Sequence, residues 1–235
     1  MLPGRGQSWG AGLGGEPQSS FYTISMIRYD LAAMEPALSP PRRPRKPSEN
    51  RDKLIAVAHE LMASRGFAGT STEAIVRAAG ITRGALYYQF LDKQDLFRAV
   101  CDALVTRLAT QIWTDTMAEV ERGEDELRVG FLRLLDSFAG PDVRQILLVD
   151  GPAVLGMDEW RRLQEPSTLG LLRHALGHLV EAGRLSAERI EPLAHLLFGA
   201  MTQAALALGT SIDPDHARRV YRESLELLLD GLERG

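Results

Sequence analysis

The stretch Gly66-Phe-Ala-Gly-Thr-Ser-Thr-Glu-Ala-Ile-Val-Arg-Ala-Ala-Gly-Ile-Thr-Arg-Gly-Ala-Leu-Tyr-Tyr-Gln-Phe90 reads as helix, glycine turn, helix. Thr70 as N-cap with Glu73 three residues on forms a capping box that starts the first of these helices. Gly80 ends it, and Thr82 caps the next, with Ile81 and Leu86 as a hydrophobic staple across the start. This order and turn length predict a helix-turn-helix. Ile75, Ala79, Ile81, Leu86 and Phe90 are the expected packing positions. Thr82, Arg83, Gly84, Ala85, Tyr87 and Tyr88 are left for a DNA groove. An arginine at the start of the second helix can meet a guanine edge with two hydrogen bonds, and an alanine can touch a thymine methyl. Two small residues let the backbone come close to a duplex, and tyrosine hydroxyls suit phosphates.

The flanking sequence continues the helical period. Leu54, Ile55, Ala58, Leu61 and Met62 predict an amphipathic helix that Gly66 stops. After Phe90, Asp92 caps a helix with Leu96, Phe97, Val100, Leu104 and Leu108 on its apolar face. Further helices are expected at about 124–139, 142–149, 158–182, 187–209 and 214–233. They are punctuated by Gly123, Gly140-Pro141, Gly151-Pro152, Gly183 and Asp213-Pro214, and Pro166 is expected to kink or split the third. No segment shows sustained strand alternation, so the expected class is all-α.

The chain has 235 residues, a net charge of -4, 45% hydrophobic and 25% charged residues. That is a globular composition. The single Cys101 excludes a disulfide framework and fits a reducing compartment such as the cytoplasm. The overall acidity argues against nucleic acid until it is divided along the chain. Residues 34–98 carry 11 Lys and Arg against 7 Asp and Glu, whereas residues 99–235 carry 14 against 22. A basic unit therefore precedes an acidic one, which suggests two jobs in one chain. The stretch from Pro192 to Ile212 lacks charged residues, but His195, Thr202 and Gln203 interrupt it. A buried helix is expected there, not a membrane span.

Residues 1–47 form an extension without helical or strand period. It is expected to be disordered or to come from a mis-assigned start, with Met26 and Met34 as alternatives. It ends in Ser39-Pro-Pro-Arg-Arg-Pro-Arg-Lys-Pro47, an extended arm whose Arg45 and Lys46 are candidates for phosphate or minor-groove contact.

The segment Thr70–Phe97, with Gly66-Phe67 before it and Asp92-Lys93 and Leu96-Phe97 near its end, resembles the DNA-binding domain of the tetracycline-repressor (TetR) family over about residues 48–108. The resemblance implies an all-helical homodimer of about nine helices per subunit that binds a palindromic double-stranded DNA operator. The remaining residues, 109–235, then form a regulatory and dimerisation domain that senses a small molecule. Carried onto this sequence, Thr70, Ser71 and Thr72 open a helix near the phosphates. Thr82, Arg83, Gly84, Ala85, Tyr87 and Tyr88 belong to the recognition helix, and Lys93 contacts a phosphate. Val76 and Gln89 depart from the family's more usual Ala and His. Leu148–Gly156 with Trp160 resembles one regulatory-domain subset whose members differ in ligand.

The last two expected helices have a reading of their own. Leu193, Leu196, Leu197, Phe198, Ala200, Met201, Ala204, Ala205 and Leu208 make one helix apolar on several sides. Tyr221, Leu225, Leu228 and Leu232 line one face of the other. Such a pair predicts a homodimer through a four-helix interface.

For an apolar or amphipathic ligand, the candidates are Trp113, Met117, Phe131, Leu135, Trp160 and His174. Each has plain core packing as its competing role. His174 and His178 stand four apart and share a helix face, but no His-Glu-x-x-His pattern and no nearby cysteine accompany them. No metal and no cofactor are expected. Nucleophile-elbow, phosphate-loop and dinucleotide fingerprints are all absent, so the chain does not read as an enzyme. The expected function is a ligand-released repressor. The rival is a helical small-molecule-binding or interaction protein whose helix-turn-helix does not bind DNA.

Overall fold

The computed structural model describes residues 49–121 and 123–234. The expectations placed on residues 1–47, Arg45 and Lys46 among them, lie outside the described residues. Among these residues there is no strand, and the chain folds into nine helices, which bears out the all-α expectation. We number them α1 (Glu49–Arg65), α2 (Thr72–Ala79), α3 (Arg83–Gln89), α4 (Lys93–Glu119), α5 (Glu126–Ala139), α6 (141–155), α7 (157–181), α8 (Ile190–Leu208) and α9 (Pro214–Arg234). Short 3-10 turns, Gly123–Asp125 and Ala187–Arg189, lead into α5 and α8.

Helices α1 to α3 and the start of α4 form the head. Leu54, Ala58 and Met62 of α1 meet Ile75 and Ala79 of α2, Leu86 of α3, and Leu96, Phe97 and Val100 of α4, all buried. Ile55 and Leu61, on the flanks of the α1 face, are only partly covered. The remaining helices form the body. Helix α4 belongs to both parts. It runs without a break through residue 108, where the sequence divides the domains. At 1.5 Å per residue its length is roughly 40 Å.

Two helical runs depart from the expected punctuation. Gly151-Pro152 does not end α6, which continues to Leu155 and stops at Gly156, where φ is +82°. Pro166 does not split α7. In both cases the chain widens into π-type turns at the proline, just before Pro152 in α6 (Arg144–Asp150) and across Pro166 in α7 (Glu165–Leu169). A wider turn absorbs the missing N–H and the ring that an α-turn rejects. Gly151 has a separate packing role, since a Cβ there would stand 2.8 Å from Cδ1 of Trp160.

Helices α8 and α9 close the body. Ala194, Leu197, Met201, Ala204, Ala205 and Leu208 are buried within the subunit. On α9, Leu225 and Leu229 face inward, with Leu232 partly covered, whereas Tyr221 and Leu228 are exposed. The stripe expected to run through Tyr221, Leu225, Leu228 and Leu232 is thus split between an inner and an outer face. No helix among the described residues is long and apolar enough to cross a membrane.

Candidate DNA interface and effector cavity

Helix α3 is set by its caps. Gly80 takes φ +63°, a left-handed conformation natural to glycine, and the N–H of Ile81 donates to the carbonyl of Val76 at 3.0 Å. Thr82 caps α3, its hydroxyl accepting from the N–H of Ala85 at 3.2 Å. Leu86 is driven into the head core, which fixes the rotation of the helix and turns Arg83, Gly84, Tyr87 and Tyr88 outward. Tyr88 is 87% exposed, far beyond what an ordinary packed aromatic shows. A Cβ added to Gly84 would meet nothing within 4 Å. Arg83 leans over the ring of Tyr87, with 5.6 Å to the centroid, and stands 3.6 Å from the carboxylate of Glu73. The outer face of α3 is thus open, apart from the exposed contacts of Arg83 with Glu73 and Tyr87.

Two expectations for α2 and α4 need correction. The N-cap of α2 is Ser71, whose hydroxyl accepts from the N–H of Ala74 at 3.1 Å; Thr70 and Glu73 do not form the box. Thr70 is buried, and its hydroxyl donates to the carbonyls of Gly66 at 2.8 Å and Leu61 at 3.2 Å. It stitches the loop after α1 from within and is not exposed. Ser71 is exposed and Thr72 partly so.

Lys93 likewise turns inward. Its Nζ donates to the carbonyls of Phe67 and Thr70, both at 2.7 Å, and sits over the Phe67 ring. Burial pulls its ammonium below the usual lysine range, against a favourable pull from Asp150. Two of its three protons therefore hold the loop between α1 and α2. Asp92 caps α4 as expected, accepting from the N–H of Asp95 at 2.7 Å.

The head is tied to the body at four places. Asp150 of α6 accepts the Phe67 N–H at 2.7 Å. Gln94 donates to the carbonyl of Val154 at 3.0 Å. Arg98 pairs with Glu159 at 3.3 Å, and His59 lies 3.6 Å from Asp142. These join the loop after α1, both early turns of α4 and the middle of α1 to α6 and α7.

In the body, a cavity of about 20 Å³ is lined by Ile112, Trp113 and Thr116 of α4, Leu127 and Phe131 of α5, and Leu172 of α7, among others. That is room for about one water molecule. Its polar atoms are few. The Thr116 hydroxyl is buried without a hydrogen-bond partner, and Glu126, 5% exposed, closes one end.

The expected ligand residues separate here. Trp113 and Phe131 line this cavity, and the His174 ring packs edge-on against Trp113 with centroids 5.0 Å apart. Met117 is exposed on α4, and Leu135 is sealed in the core. Trp160 lines a different space, an open groove of about 770 Å³ between α7 and α8 that also holds Leu196, Gly199 and Gln203. Helical spacing cannot separate these positions, because every apolar residue on one face looks alike.

Sequence reasoning missed Glu126. It comes from the first turn of α5 and meets the two histidines of α7. Its Oε2 lies 3.5 Å from His174 Nε2 and 3.2 Å from His178 Nε2. Burial pushes its carboxyl up to about 7, with His178 pulling the other way. Burial, with help from His178, lowers His174. Nothing in the local pattern links a glutamate 48 residues away to His174. Cys101 is buried, and burial pushes its thiol up to about 12, which leaves no thiolate for nucleophilic chemistry.

The comparisons with known proteins agree with this geometry. Residues 54–100 match the family model for bacterial regulatory proteins of the tetR family, and residues 125–232 match a tetracyclin repressor-like C-terminal domain. The HTH-type transcriptional regulator AcrR of Shigella flexneri is 44% identical over 52 residues, 22% of this chain and 24% of that protein. The HTH-type transcriptional repressor AcnR of Corynebacterium glutamicum is 31% identical over 78 residues, 33% of this chain and 42% of that protein. The chain thus spans less than half the length of these curated relatives. A solved TetR-family transcriptional regulator from Pectobacterium atrosepticum superposes with a TM-score of 0.68 at 27% identity, covering 83% of this chain and 99% of that one. With a helix-turn-helix head, a helical body and both family models in register on them, the chain belongs to the TetR family of DNA-binding transcriptional regulators.

Proposed function

We propose that this protein is a homodimeric repressor that binds a palindromic operator through α2 and α3 and is released by a small apolar or amphipathic molecule entering the body. The observation that carries the reading is the shape of α4. It starts at the head, and its far end, at Ile112, Trp113 and Thr116, forms a wall of a cavity with space for about one water. Ligand pockets are typically of about 300–1,000 Å³, so a ligand must move a wall to enter. A displaced α4 carries Asp92, Lys93 and the head with it. The ligand then favours the displaced state by its differential affinity for the two conformations, commonly about 1–3 kcal/mol of coupling.

Ser71, Thr72, Thr82, Arg83, Gly84, Ala85, Tyr87 and Tyr88 make the DNA face in this reading. Thr70 and Lys93 support it from behind. The dimer forms through α8 and α9, whose outward Leu196, Val220, Tyr221, Leu227 and Leu228 leave apolar surface uncovered in one subunit. A two-fold pairing there sets two recognition helices about 34–36 Å apart, one turn of DNA. The cytoplasm is the compartment in which such a protein works.

Fluorescence anisotropy with inverted repeats from the protein's own promoter region tests the reading. Salt-sensitive binding of one dimer per repeat, reversed by a ligand that quenches Trp113, supports it. Ligand binding with no DNA binding to any repeat replaces it with the interaction-protein reading.

A further inference from the structure

Three side chains from two helices converge beside the cavity. Glu126 Oε2, His174 Nε2 and His178 Nε2 supply the ligand atoms, and one such atom from each residue lies within 4.8 Å of the others. We propose that Glu126, His174 and His178 form a binding site for a divalent transition-metal ion of the zinc class.

The geometry carries the argument. Zinc bonds to imidazole nitrogen and carboxylate oxygen at about 2.0–2.2 Å, so the atoms of a tetrahedral site stand roughly 3.3–3.5 Å apart. Glu126 Oε2 already meets both histidines at 3.2 and 3.5 Å. Only the distance between the two rings has to tighten. Their centroids are 4.8 Å apart in an edge-on arrangement, the i, i+4 spacing of one helix face.

The surroundings fit as well. His178 Nδ1 faces Glu181 Oε2 at 3.1 Å. A proton on that nitrogen leaves the Nε2 lone pair directed at Glu126, the carboxylate–histidine arrangement common behind metal ligands. Trp113 holds the His174 ring on its other side. Gly123 packs against the His178 ring so closely that a Cβ would stand 3.0 Å from it, which fixes the ring's position. A nearly buried carboxylate facing two ring nitrogens is stabilised by a positive charge between them, which a bound metal ion supplies. Two imidazoles and one carboxylate without cysteine are a borderline donor set, suited to zinc and unsuited to calcium or magnesium. Three protein ligands leave a fourth position, which a water can take.

Isothermal titration of the untagged, chelator-stripped full-length protein with zinc chloride tests the site, with cobalt(II) as a spectroscopic substitute. The expected result is one ion per chain, together with cobalt ligand-field bands of a four- or five-coordinate nitrogen and oxygen site. Glu126→Gln, close in shape, and His174→Ala each weaken binding at least tenfold and remove the zinc-induced rise in Tm. His216→Ala, on the far α9 surface, leaves both unchanged. Circular dichroism checks that each variant is folded. No saturable binding below about 10 μM, or equal binding by wild type and Glu126→Gln, overturns the proposal. Neither result depends on DNA or on an organic effector, so the repressor reading stands or falls separately.

Discussion

The Asp150 carboxylate accepts the Phe67 backbone N–H at 2.7 Å, across 83 residues of sequence. Phe67 in turn offers its carbonyl to Lys93 at 2.7 Å. A body helix, the loop between α1 and α2 and the first turn of α4 thereby meet at one residue. Asp150→Ala leaves the Phe67 N–H without its acceptor and is expected to cost about 1–3 kcal/mol. Thermal unfolding measures this. If the contact transmits the switch, the same variant also narrows the gap between operator affinities with and without effector. Asp150→Asn keeps an acceptor and recovers most of both.

Lys93→Met separates two roles. A lysine serving only as a phosphate contact would leave Tm unchanged and lower the salt slope of DNA binding by about one. With its ammonium on Phe67 and Thr70, the substitution removes two charge-assisted hydrogen bonds. The head is then expected to lose stability, by about 1.5–3 kcal/mol, read as a lower Tm without DNA.

Arg83→Ala acts at the opposite extreme. Its guanidinium is exposed and paired only loosely with Glu73. Stability is expected to stay within about 0.5 kcal/mol. Operator affinity falls by about 1–3 kcal/mol, and discrimination at one base pair relaxes. Binding to a panel of single-base operator variants shows both effects.

Gly84→Ala gives a cleaner contrast. A Cβ there meets nothing in the free protein, and alanine favours a helix over glycine by up to about 1 kcal/mol. Tm is expected to hold or rise while operator binding weakens, because the added methyl occupies space the DNA approaches. Unchanged DNA affinity would mean that the groove lies elsewhere on the head.

Stability should also depend on pH through His59. Burial lowers its proton affinity, Arg107 adds to that, and Asp142 and Glu60 oppose it. The unfolded chain therefore binds the proton more readily than the folded one. Its contribution is full above the ordinary histidine value of 6.5 and shrinks as pH falls below it. Between pH 7.5 and 5.5 the urea midpoint of the wild type is expected to fall relative to that of His59→Gln, since Glu126 and His174 titrate alike in both.

Much of this was legible along the chain because it depends on neighbours within one or two helical turns. The Thr82 and Asp92 caps, the Gly66 and Gly80 stops and the alternation of Leu86 with exposed Tyr87 and Tyr88 are local. The departures are local patterns overridden by packing. Thr70 carries the capping sequence but is drawn inward by the Gly66 and Leu61 carbonyls, which passes the cap to Ser71. Pro152 and Pro166 read as breaks, yet neighbouring helices hold the chain helical through wider turns.

From residue order alone come the all-α class, the helix-turn-helix, the basic head on an acidic body and the split of α3 into a buried Leu86 and an exposed outer face. Each follows from periodicity, capping chemistry or charge, which act at short range. Tertiary structure alone decided that Lys93 locks a loop, that α4 ends as a wall of the Trp113 cavity, and that Glu126 meets His174 and His178. Those relations join residues dozens of positions apart, and only the burial of helix faces against one another brings them within bonding distance.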